Sequence, residues 1–104
     1  MAGAPKQPER RIVQMPRFAR TKKKLPPMAQ LALDAAIREI AQDPFKGDPK
    51  TGALTGMRVY KFKVGPLQLL LAYRFGAKTN TIEAWAVGPH ENFYRELEGC
   101  VYGR

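Results

Sequence analysis

The stretch RVYKFKVGPLQLLLAYRF, Arg58 to Phe75, decides the fold. Its first half alternates with period two. As a strand it therefore puts Tyr60, Phe62 and Val64 on one face, and Val59, Lys61 and Lys63 on the other. Gly65-Pro66 interrupts the pattern, and the mostly apolar LQLLLAYRF reads as a second strand. GAKTN then leads into the β-prone TIEAWAVG. Connections this short join antiparallel neighbours, so the stretch predicts the middle of a small antiparallel sheet.

Upstream, FKGDPKTGALTG carries Gly, Pro and Lys and reads as a loop. MAQLALDAAIREIAQ is the clearest helix, with Leu33, Ala36, Ile37 and Ile40 at i, i+3, i+4 and i+7, Asp34 and Arg38 four apart, and Asp43-Pro44 as its stop. Pro26-Pro27 separates it from RFARTKKKL, a short helix by the seven-residue spacing of Phe18 and Leu25. RRIVQMP supplies a first strand with Ile12 and Val13. Residues 1–10 are expected to form a disordered extension, and residues 11–104 a single domain. Downstream, HENFYRELEG reads as a helix with Gly99 as its C-terminal stop. The expectation is an α+β domain with about four antiparallel strands, an N-terminal helical hairpin and a C-terminal helix. The helices are expected to cover one face of the sheet and leave the other wholly or partly open.

The chain of 104 residues carries a formal charge of +9, unusual for so small a domain and suited to a polyanion. The excess sits at the N-terminal end. Eight Lys and Arg (Lys6, Arg10, Arg11, Arg17, Arg20, Lys22, Lys23 and Lys24) stand there against Glu9. Cys100 is the only cysteine and His90 the only histidine, which argues against a disulfide framework and a zinc site within one chain. The start MAGAPKQPERR does not read as a signal peptide, and LQLLLAY is far too short to cross a bilayer, so a cytoplasmic setting without a membrane is expected.

Two ammonium groups on one face of a strand, at Lys61 and Lys63, lie about 7 Å apart and repel. An anion such as a phosphodiester relieves that cost, although lysines also simply solubilise an exposed face. Near the sheet rim, His90 and Tyr94 stand four apart in the C-terminal segment. Imidazole exchanges protons near neutral pH, and tyrosine stacks on bases. RNA cleavage needs a base, cations on the phosphate and an acid for the leaving oxygen, and lysines, an arginine, a histidine and a tyrosine can supply these roles without metal.

The stretches RFARTKKKL, QLALDAAIREIAQDP, GALTGMRVYKFKVGPLQLLLAYRF and TIEAWAVGPHENFYREL together resemble the RelE/ParE superfamily of bacterial type II toxins. The resemblance implies the RelE-like fold and a cognate antitoxin. In the RelE-like branch it further implies an endoribonuclease without cofactor that enters the ribosomal A site and cuts mRNA. The alternative it carries is a ParE-like, non-enzymatic inhibitor of DNA gyrase. YKFK matches the branch's strand lysines at Lys61 and Lys63, and Tyr94, six residues after Gly88, matches its C-terminal tyrosine. His90 stands at the family's arginine after that glycine, and related members use a C-terminal histidine there as a proton-transfer group. Leu70, three residues before Tyr73, stands where the family commonly has another, and Arg74 or Arg58 is then the expected substitute. Arg17, Arg20, Lys22, Lys23, Lys24 and Arg58 are expected to grip rRNA phosphates.

Overall fold

The computed structural model describes residues 10–91 and 93–101. Strand β1 (Arg11–Gln14) leads into α1 (Pro16–Lys24) and α2 (Pro27–Gln42). Each helix opens with proline, whose fixed φ and missing N–H suit a first turn. A two-residue strand β2 (Asp48–Pro49) and a 3-10 turn (Gly52–Leu54) precede β3 (Arg58–Val64), β4 (Leu67–Gly76) and β5 (Thr81–Pro89), and α3 (Phe93–Val101) follows. The sheet order is β1-β5-β4-β3-β2.

The central hairpins form where expected. Gly65 takes φ +57° at the first position of the β3–β4 turn, a backbone region that penalises a side chain. Asn80, at φ 51°, does the same in the β4–β5 turn, where asparagine is tolerated. The sheet has five strands rather than about four, because residues 48–49 of the expected loop pair with Arg58 and Val59. It is also not wholly antiparallel. β1 runs parallel to β5, with Ile12 opposite Ile82, because α1 and α2 carry the chain away from the edge before β3 begins.

Both faces of the sheet are partly covered, where a cover on one face was expected. Phe18 of α1 and Leu33, Ala36 and Ile40 of α2 pack on Leu71, Tyr73, Ile82 and Val87. On the other face, Phe93 and Leu97 of α3, with Leu54, pack on Met57, Val59, Leu70 and Ala72. The odd and even positions of β4 thus feed two cores, which is why LQLLLAY reads as a continuous apolar run rather than an alternating one. A bulge at Trp85, between the pairs Ala72–Ala86 and Tyr73–Ala84, brings Trp85 and Ala86 together onto the α3 side.

α3 continues through Gly99 rather than stopping there. Asp34 pairs not with Arg38 but with Lys22 at 2.8 Å, tying α2 to α1. The Gln30 amide donates to the Leu25 carbonyl at 2.9 Å, closing the hairpin between the helices. The expectation for residues 1–9 lies outside the described residues. Arg10, the last residue of the expected extension, donates to Asn80 Oδ1 at 2.9 Å and to the Ala41 carbonyl, and stacks on Phe75.

Candidate functional site

Strand alternation leaves Lys61 and Lys63 exposed on the face that α3 crosses. α3 binds that face through the i,i+4 pair Phe93 and Leu97, which are 3% and 0% exposed. Its footprint covers Val59, Leu70 and Ala72 but stops short of Lys61, Lys63 and Gln68. In register, Lys61 faces Leu70 and then Gly88, and Lys63 faces Gln68. The second row points to His90, one residue beyond the end of β5. With strands about 4.8 Å apart, two strand spacings separate Lys63 from His90 by roughly 10 Å between backbones. Long side chains reach across such a gap to one phosphodiester.

His90 precedes α3 rather than opening it, since the helix starts at Phe93, whose N–H donates to the His90 carbonyl at 3.1 Å. The turn nevertheless brings the imidazole to Tyr94, ring centroids 5.6 Å apart and planes at 78°. Tyr94 meets Phe93 edge to face as well, at 5.4 Å. Phe93 takes the buried position and Tyr94 the half-buried border, so the phenol is held by aromatic contacts at the margin of the open lysine face.

The sequence reading missed Lys50. It sits in the expected loop, one residue past β2, and its ammonium lies 5.2 Å from the centre of the Tyr94 ring. Its backbone N–H donates to the Met57 carbonyl at 2.9 Å, which extends the β2–β3 pairing and fixes its place. The PKTG stretch held no signal for this, because the contact is made across the sheet.

The two arginines expected to replace a cation at Leu70 are placed elsewhere. Arg74 shares the face of Leu70 but lies four residues along β4, about 13 Å away. Its guanidinium stacks 5.5 Å over Trp85, whose indole N–H donates to Glu83 at 3.1 Å. Arg58 lies on the opposite face, with Tyr60. It donates to the carbonyls of Phe45 and Gly47, at 3.1 and 2.7 Å, and covers the Phe45 ring. Leu70 itself is 0% exposed beneath α3.

The loop that carries Lys50 is anchored from below. The buried Tyr73 hydroxyl donates to the Pro44 carbonyl at 2.6 Å and accepts from the Gly47 N–H at 2.9 Å. Burial pushes the Tyr73 phenol above its ordinary pKa. Lys46 bonds Glu39, and that hydrogen bond raises its pKa.

On α1, Phe18 is fully buried, so the helix turns Arg17, Arg20, Lys23 and Lys24 outward. Lys22 is partly engaged by Asp34. Met28 and Leu31 of α2 are exposed as well. Among the described residues, no group of three His, Cys, Asp or Glu is placed to hold a metal ion, and no helix is long and apolar enough to cross a membrane.

The fold matches solved toxins of one class. The free Escherichia coli RelE toxin carrying two arginine-to-alanine substitutions aligns with a TM-score of 0.73 at 16% identity, covering 92% of this chain and 97% of that one. A chain of the intact E. coli RelBE toxin–antitoxin complex aligns with a TM-score of 0.67 at 16% identity, covering 79% and 98%. A chain of a Mycobacterium tuberculosis RelBE complex aligns with a TM-score of 0.62 at 22% identity, covering 79% and 99%. No curated protein sequence matches significantly. Residues 12–98 match the family described as the ParE-like toxin of type II bacterial toxin-antitoxin systems. The chain belongs to that family, and so to the RelE/ParE superfamily of toxins.

Proposed function

We propose that this toxin is a ribosome-dependent mRNA endonuclease. The observation that carries the reading is the open Lys61–Lys63 face bordered by the paired rings of His90 and Tyr94. In this reading Lys61 and Lys63 bind the scissile phosphate, and one of their amines receives the proton of the attacking 2′-OH. The new bond from O2′ to phosphorus and the broken bond to O5′ leave a 2′,3′-cyclic phosphate and a 5′-OH. His90 protonates the departing 5′-oxygen, and Tyr94 stacks on a base or orients the phosphate. No metal enters this scheme. Two cations near the phosphorane carry the charge stabilisation.

Arg17, Arg20, Lys22, Lys23 and Lys24 then hold rRNA phosphates without reading sequence. The RelBE complexes among the similar structures support a cognate antitoxin that neutralises the chain and co-purifies with it. The setting is the cytoplasm, where ribosomes and mRNA are available. Brief induction in cells followed by mapping of mRNA 5′ ends tests the reading. New ends within open reading frames support it. Growth arrest with intact mRNA contradicts it, and loss of supercoiling activity in the same cells would assign the chain to gyrase inhibition instead.

A further inference from the structure

We infer that Lys50 is a phosphate-contacting residue of the site, gripping a phosphate next to the scissile one. The inference rests on the reading of the lysine face as an RNA-binding surface. Asp48 faces Val59 across β2 and β3, and the Lys50 N–H bonds the Met57 carbonyl. Lys50 therefore extends the row of Met57, Val59, Lys61 and Lys63 sideways, on the same face and at the end opposite Lys63. Tyr94 lies between the two cationic ends, with the Lys50 ammonium 5.2 Å from its ring centre and the His90 ring 5.6 Å away.

Among the described residues Lys50 makes no ion pair, although Asp48 is two residues away. A ring face holds an ammonium weakly and leaves its N–H donors to water, so an incoming phosphate outcompetes it. With Lys61 and Lys63 on the scissile phosphate, a third ammonium set further along the same face suits the neighbouring phosphate of the strand. They also put positive charge on this face despite the buried Leu70. The backbone tie to Met57 and the anchored loop hold the position of Lys50 whatever its side chain, so the side chain can be changed without moving the strand.

The test measures binding of a 2′-O-methyl RNA strand, which cannot be cut by 2′-OH attack, across a series of salt concentrations. Wild type is compared with Lys50→Ala, Lys50→Arg and, as a control on the exposed β4–β5 turn outside the lysine row, Lys78→Ala. Thermal melts confirm that each is folded. The expected result is that Lys50→Ala lowers the slope of log affinity against log salt by about 0.7, as for one lost contact to a single strand, while Lys50→Arg and Lys78→Ala keep the wild-type slope. An unchanged slope in Lys50→Ala, an equal loss in Lys78→Ala, or no binding by wild type overturns the inference. Cleavage is scored separately on ribosomes with natural mRNA. A Lys50-dependent slope in a chain that cuts nothing upholds the contact and rejects the nuclease reading. Cleavage with no Lys50 effect on the slope does the reverse.

Discussion

Lys61 and Leu70 are register partners on β3 and β4, yet the lysine is exposed and the leucine is sealed under α3. The row of the sheet that they share thus passes from a cationic, open edge into the second core within one strand spacing. Phe93 and Leu97 close that core, so the position where related toxins are expected to carry an arginine serves here to hold α3.

Truncating that anchor should be costly. Leu70→Ala is expected to destabilise the fold by about 2–5 kcal/mol, as for other buried leucines. Leu70→Arg should cost at least as much, because its guanidinium either loses water beneath α3 or lifts the helix. Urea denaturation measures both. A Leu70→Arg protein as stable as wild type would show that α3 is held by something other than this contact.

The clamp around Pro44 and Gly47 gives a second expectation. Tyr73→Phe strands the Gly47 N–H and the Pro44 carbonyl and should cost about 1–3 kcal/mol. Gly47→Ala should also destabilise, since its Cβ would come within 2.8 Å of the Tyr73 ring and hydroxyl. Both variants free the loop that presents Lys50.

The same tyrosine sets an alkaline limit. Its pKa is raised on folding from the ordinary 10.0, chiefly by burial, so the folded state holds that proton more tightly than the unfolded chain. The stabilisation is complete below pH 10.0 and declines as pH rises toward the folded value. Denaturation midpoints followed from neutral to alkaline pH should fall more steeply for wild type than for Tyr73→Phe. Parallel curves would contradict this.

On α1, replacing Arg17, Arg20 and Lys24 together with alanine should lower the salt slope of ribosome association by about 2, with little change in stability. Lys22→Ala acts differently. It removes the pair with Asp34 and should cost no more than about 1 kcal/mol. Filter binding at graded salt, alongside thermal melts, separates the two effects.

Much of this architecture was legible because local signals agreed. The alternation of Arg58 to Val64, the turn at Gly65-Pro66 and the spacing of Leu33, Ala36 and Ile40 each require one element, and each element forms. What escaped the reading is non-local. β2 is two residues in a Gly- and Pro-rich loop, stabilised by partners nine and eleven residues away. The parallel docking of β1 on β5 depends on where the helical hairpin settles, and no short-range pattern records it. At the candidate site, spacing together with the family resemblance singled out Lys61, Lys63, His90 and Tyr94, and the rings of His90 and Tyr94 meet even though His90 lies outside the helix. Arg74 was expected there because alternation puts it on the face of Leu70, and Arg58 because it opens the neighbouring strand. Strand parity turns Arg58 to the other face, and Trp85 draws Arg74 away. Lys50 reaches Tyr94 only through the pairing of β2 with β3.

Lys61 and Lys63 carry the proposed cleavage chemistry. Purified ribosomes programmed with a defined mRNA and exposed to the chain test it most directly, with the new RNA ends characterised chemically. Wild type should leave 2′,3′-cyclic phosphate and 5′-OH ends, and Lys63→Ala or Lys61→Ala should form them at least about a hundredfold more slowly. Intact mRNA with wild type, or cleavage undiminished in both lysine variants, would contradict it.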